Sequence, residues 1–233
     1  LHPFGTALVG TANAAWEQFM TSKLALSYLT VGAFSENSYV VGCSESGCGV
    51  LIDPGGEVPE LLRMAADMGL EINEIWLTHA HLDHVLGLTE AVEKTGAPVW
   101  LHPEDRFLYD AAPQQGEAFG FPVGVLPKPA ESLEAGQQLK LGGHSVEVLH
   151  VPGHSPGHVA FWFPGSRLLI AGDVLFAGSI GRTDLPGGSY ETLMDTIRQV
   201  VVSLGDDVRV FPGHGDPTTV GAERRSNPFL VAG

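Results

Sequence analysis

Thr78-His79-Ala80-His81-Leu82-Asp83-His84 is the stretch on which the reading of this chain turns. It sets His79, His81, Asp83 and His84 within six residues. The preceding EINEIWL (residues 71–77) reads as a short strand, because its β-branched and aromatic residues favour strands and it is brief for a helix. Asp83 then opens LDHVLGLTEAVEKTG, which reads as one helix stopped by Gly96. The histidines therefore fall where a strand yields to a helix. Imidazole and carboxylate groups so closely spaced can converge on a metal ion, and packing alone does not explain the grouping.

Three further segments supply the rest of a site. VPGHSPGH (151–158) offers His154 and His158, LLIAGD (168–173) ends in Asp173, and VRVFPGHGD (208–216) carries His214. In each, an apolar, strand-like run ends in Gly or Pro beside a potential ligand. Strands carry such residues to a common edge, and the following loops bend them inward. The grouping read from these residues is His79, His81 and His154 at one metal position and Asp83, His84 and His214 at a second. Asp173 bridges them, since one carboxylate can give an oxygen to each cation. Two metals about 3.5–4 Å apart can hold a hydroxide between them and polarise a substrate carbonyl. Two divalent transition ions are expected, zinc first, with iron or manganese as alternatives.

A chain of 233 residues with 44% hydrophobic content can bury a sizeable core. One catalytic domain over residues 24–233 is the simplest organisation, preceded by an extension over residues 1–23 that can order as a short helix. The formal charge of −15 disfavours a nucleic-acid partner, because few cations are available to displace counterions from a polyanion. No apolar run reaches membrane-spanning length, so no membrane partner is expected and a cytoplasmic location is preferred. PGGEVPE lacks the spacing of a dinucleotide or P-loop site, which argues against NAD or ATP and a doubly wound nucleotide fold. Cys43 and Cys48 flank the turn SESG and read as free thiols. Oligomeric state is not legible.

Around the ligands, strands and helices alternate. LALSYLTV, SYVVGC and GCGVLID read as early strands, VPELLRMAADMGL as a helix stopped at Gly69, and APVWLHP as a strand. PEDRFLYDAA reads as a short helix, and APQQGEAFGFPVGVLPKPAES as a broad loop that covers the core, or whose Phe119, Phe121 and Val123 can line a pocket. LKLGGHSVEVLHVPG and HVAFWFPGSRLLIAGD give paired strands, and YETLMDTIRQVVVSL a helix. His158 is expected to make local hydrogen bonds, and His102, His144 and His150 to be structural or solvent-facing.

THAHLDH, GHSPGH, AGD and PGHG together resemble the metallo-β-lactamase superfamily, from about Leu26 to Leu230. GSIGRTDLPGG (178–188) and GAERRSNPFL (221–230) resemble its compact, glyoxalase-II-like (hydroxyacylglutathione hydrolase-like) branch. The resemblance implies an α+β fold, a four-layer αβ/βα sandwich of two mixed sheets flanked by helices, with the metals at one edge. It carries His79, His81 and His154 over as the first set of ligands, Asp83, His84 and His214 as the second, and Asp173 as the bridge. It also gives Asp53 an orienting role behind a ligand, where a turn-capping carboxylate is the alternative.

The chemistry expected is hydrolysis of a small acyl thioester such as S-D-lactoylglutathione. A thioester needs less leaving-group assistance than an amide, and lactones share that advantage. Asp83 holds the second metal and orients the nucleophile. Arg182, anchored by Asp184, and Tyr190 are candidate substrate contacts, against a structural ion pair and an aromatic helix cap. The compact form ends soon after PGHG, which leaves glutathione recognition to other loops. The competing readings are a mononuclear iron persulfide dioxygenase, a lactonase or β-lactamase, and a non-catalytic metal-stabilised interaction domain.

Overall fold

The computed structural model describes residues 18–21, 23–121 and 123–231. Among these, two mixed sheets face each other. The first has β1 (Gln18–Thr21), β2 (Leu24–Val31), β3 (Glu36–Cys43), β4 (Cys48–Ile52), β5 (Glu71–Trp76), β6 (Val99–Leu101) and β7 (Glu131–Ser132), in that spatial order. The second comprises β8 (Gln138–Leu141), β9 (His144–His150), β10 (Val159–Phe163), β11 (Leu168–Gly172), β14 (Arg209–Pro212) and β15 (Thr218–Thr219), ordered β15-β14-β11-β10-β9-β8. A small hairpin, β12 (Leu175–Phe176) and β13 (Ser179–Ile180), lies between β11 and β14 in the chain.

The layers follow from the two-residue period of the strands. Tyr39 and Val41 of β3 face the second sheet, while Val40 faces the helices. On β10, Phe161 and Phe163 point into the shared core and Ala160 and Trp162 point away. Trp76 and Phe161 meet across the sheets with ring centroids 5.0 Å apart. Burying each such aromatic contributes on the order of 1.5–3 kcal/mol. The outer faces are covered by α1 (Val58–Asp67), α2 (Leu82–Val85), α3 (Leu88–Thr95) and α4 (Arg106–Phe119) on one side. On the other lie α5 (Tyr190–Thr196), continued by Ile197–Leu204, and α6 (Val220–Ser226). This is the expected four-layer sandwich, and both faces of each central strand are buried.

The two sheets repeat one pairing pattern. From β2 to β5 the partners run antiparallel, antiparallel, then parallel, and β9, β10, β11 and β14 do the same. Each parallel step needs a crossover, supplied by α1 in one half and by α5 with its continuation in the other. Asp53 therefore leaves β4 and the His79–His84 loop leaves β5, while Asp173 leaves β11 and His214 leaves β14. The same ends of two related strand pairs carry the polar cluster.

Three local expectations are corrected. LDHVLGLTEAVEKTG forms two helices, not one. The break falls at Gly87, whose N–H donates to Pro54 O at 2.9 Å, and a Cβ there would meet Pro54 O and Val58 Cγ2 at 2.8 Å. Gly96 does end the second helix, at φ 70°. The helix after Pro103 continues to Phe119 through Pro113, because Leu108, Tyr109, Ala112 and Gly116 make a buried face whose packing overrides the breaker. Phe119 consequently sits on that helix, 67% exposed.

Cys43 and Cys48 are free thiols. The helix expected within residues 1–23 falls mostly outside the described residues, and Gln18–Thr21 form β1 against β2. No helix among the described residues is long and apolar enough to cross a membrane.

Candidate metal centre

His79 and His81 leave the end of β5, and His154 enters from the loop between β9 and β10. His154 Nε2 lies 3.2 Å from His79 Nε2 and 2.7 Å from His81 Nδ1. The three candidate ligand atoms fall within 4.8 Å of one another. Asp83, His84 and His214 form a second such group. There His214 Nε2 is 3.2 Å from Asp83 Oδ2, and His84 Nε2 is 3.9 Å from the same oxygen. Asp173 stands between the groups. Its Oδ2 is 3.5 Å from both His154 Nε2 and His214 Nε2, and its Oδ1 is 3.6 Å from His84 Nε2. All seven residues singled out in the sequence therefore meet in one place.

Four of the five candidate histidines hold one ring nitrogen against a protein group, as metal-ligating histidines do, while His81 Nε2 is buried without a partner. His154 Nδ1 donates to Arg182 O at 2.7 Å, and His214 Nδ1 to Ser35 O at 3.1 Å. His84 Nδ1 donates to Asp53 Oδ2 at 3.1 Å. The Thr78 hydroxyl gives its proton to Asp53 Oδ2 at 2.6 Å and accepts from His79 Nδ1 at 3.0 Å. Asp53 also takes Thr78 N–H on Oδ1 at 2.7 Å, from a left-handed backbone at φ 50° that an aspartate tolerates. It thus steadies residues of both groups. His84 Nε2 and Asp173 Oδ1, which face each other, are buried without hydrogen-bond partners. Orphaned acceptors among converging imidazoles and carboxylates fit transition-metal cations.

Electrostatics divide the site. Burial, with neighbouring histidines, pushes His79 far down and His81 down to about 3, and burial lowers His154 against the pull of Asp173. These three are neutral and ready to ligate at ordinary pH. For His84 burial also disfavours charge, but Asp83 and Asp173 outweigh it and raise the group well above its usual value. His214 is raised despite burial by its bond to Asp83 and by Asp173. Burial works against ionised Asp83 and Asp173, yet His84 and its neighbours hold both below the usual carboxylate range.

His158 accepts from Asp173 N at 3.0 Å and stacks on His79 at 4.6 Å, the local role expected of it. His102 stacks on His150 at 4.6 Å, away from these groups. Arg182 is pulled outward: its guanidinium makes two 2.8 Å bonds to Asp184 and both side chains are exposed, so only its carbonyl reaches the cluster. Tyr190 is 54% exposed at the start of α5.

Sequence reasoning missed Asn37, whose Nδ2 donates to Pro212 O and Gly215 O at 3.1 and 2.8 Å and so cradles the His214 turn. It also missed Glu36, a fully buried carboxyl raised well above its usual value by burial, with Oε1 3.8 Å from His84 Nδ1. Both sit in a strand whose alternation carries no chemical signal.

Known proteins resemble this chain in sequence and in fold. The chain is 40% identical over 208 residues to hydroxyacylglutathione hydrolase GloC of Haemophilus influenzae, covering 88% of this chain and 97% of that one. It superposes on TTHA1623 in a di-iron-bound form with a TM-score of 0.80 at 45% identity, over 87% of this chain and 99% of that one. On the B3 metallo-β-lactamase BLEG-1 the TM-score is 0.81 at 33% identity, over 88% and 99%. The family model described as metallo-beta-lactamase superfamily matches residues 31–214, a span that holds both candidate groups, and the chain belongs to that superfamily.

Proposed function

We propose that this chain is a binuclear metallohydrolase of small acyl thioesters, with S-D-lactoylglutathione as the reference substrate. The observation that carries the reading is Asp173, whose two carboxylate oxygens face histidine nitrogens of both groups. His79, His81 and His154 would hold one cation, Asp83, His84 and His214 the other, and Asp173 both. Zinc is the expected metal, with iron its first competitor because TTHA1623 is a di-iron form. Bound there, such cations supply Lewis acidity toward a carbonyl and an activated water.

The chain's own residues do the rest. Asp83, kept ionised by His84 and His214, is suited to ligation and to orienting water, and is too acidic to store a proton. Asp53 and Thr78 fix the tautomers of His84 and His79. Arg182 and Tyr190, exposed on the flanking loop and helix, are available to a substrate's polar end. Water adds to the thioester carbonyl carbon, the C–S bond breaks, and a carboxylic acid and a thiol leave.

The identity to GloC over nearly its full length supports the thioester, and the likeness to BLEG-1 makes β-lactam hydrolysis the second reading. Thiol release from S-D-lactoylglutathione by metal-replete protein tests the proposal, beside lactone and β-lactam panels and oxygen uptake on glutathione persulfide. Thiol release that a chelator abolishes and added metal restores is expected. Oxygen uptake without thiol release would replace the proposal with an iron dioxygenase, and turnover confined to lactones or β-lactams would remove the thioester.

A further inference from the structure

Asp105 closes the short turn Pro103–Asp105 ahead of α4 and is fully buried. Its Oδ2 accepts from Ala80 N at 3.1 Å and from Ser155 Oγ at 2.7 Å, and its Oδ1 accepts from Gly157 N at 2.6 Å. Ala80 lies between His79 and His81, Ser155 follows His154, and Gly157 precedes His158. The donors come from loops of different sheets, one after β5 and one between β9 and β10. A backbone bond from Val159 N to Thr78 O, 2.8 Å, also joins these loops, and His158 of one stacks on His79 of the other. The Asp105 carboxylate adds three hydrogen bonds that grip both loops at once.

We infer that Asp105 is a positioning residue that locks the His79–His81 loop to the His154 loop and so sets the geometry of the first metal position. This rests on the reading of His79, His81 and His154 as ligands. The close approach is built into the sequence: a Cβ on Gly157 would meet Asp105 N at 2.5 Å, so glycine is needed there. All three partners are donors, which suits a carboxylate with acceptors on both oxygens. An asparagine of the same shape would turn an NH2 toward one donor. The second group has no such tie to Asp105, since Asp83, His84 and His214 hang from α2, Asp53 and the Asn37 cradle.

The test compares wild type, Asp105→Asn and Ser155→Ala by competitive zinc titration. Occupancy of each position is read from anomalous diffraction under limiting zinc. Asp105→Asn should weaken the first position roughly 10–100-fold and leave the second within a factor of a few. Ser155→Ala, which removes one donor of three, should weaken the same position by a smaller factor. Unchanged affinities with only a lowered melting temperature, or equal weakening of both positions, would overturn the inference. If Asp105→Asn does not fold, Ser155→Ala decides alone. A wild-type protein that binds neither zinc nor iron would instead remove the metal reading on which this rests.

Discussion

Asp173 Oδ1 and His84 Nε2 stand 3.6 Å apart, both buried and neither hydrogen-bonded. Two buried polar atoms facing each other cost free energy unless a proton or a cation lies between them. Asp173 also faces His154, its Oδ2 3.5 Å from Nε2, so the carboxylate addresses both groups. Asp173→Ala should therefore weaken metal binding at both positions by more than the ~10–100-fold that loss of a supporting hydrogen bond brings. His214→Ala should affect mainly the second position. Metal stoichiometry of the two variants after dialysis checks this, and native content in Asp173→Ala would contradict it.

The two positions should also differ in their response to pH. His84 and His214 have raised values and carry protons that a metal must displace, whereas His79, His81 and His154 are lowered and already neutral. Affinity at the second position should fall as pH drops, by about tenfold per unit for each proton displaced, and stay nearly flat at the first between about pH 8 and pH 6. Isothermal titration in buffers of different ionisation enthalpy counts the released protons. Equal proton release at both positions would refute the division.

Asp53→Asn keeps the shape but replaces one carboxylate oxygen by an amide that cannot accept from Thr78 or His84. Second-position affinity should fall roughly 10–100-fold. If Thr78 N–H is left unpaired, stability should drop by about 1–3 kcal/mol as well. Chelator competition and denaturant melts of the same sample separate the two effects.

Phe161→Ala provides a contrast remote from the ligands. Phe161 is fully buried between the sheets against Trp76, and its truncation should cost about 3–5 kcal/mol. Urea unfolding should register that loss while the folded variant retains its metals. Loss of metal at equal folded fraction would show that the sandwich core and the site are coupled more tightly than the contacts indicate.

The candidate ligands were legible because side chains with one chemistry recur at strand ends: His79, His154, Asp173 and His214 each follow an apolar run that reads as a strand. Their supports were not. Asp105 sits in an ordinary helix start, and its partners lie 25, 50 and 52 residues away. Asn37 reaches Gly215 across 178 residues from inside a strand that reads only as core. Such contacts are set by which loops the fold brings together, and local pattern does not encode that. The same limit explains Pro113, where a breaker in the sequence is outweighed by a buried face made in three dimensions.

Anomalous diffraction from metal-replete crystals, collected on both sides of the zinc and iron edges, tests the central claim most directly. Two peaks per chain are expected, one among His79, His81 and His154 and one among Asp83, His84 and His214, with a carboxylate oxygen of Asp173 on each. A single peak under excess metal, or two peaks with Asp173 bound to neither, would contradict it.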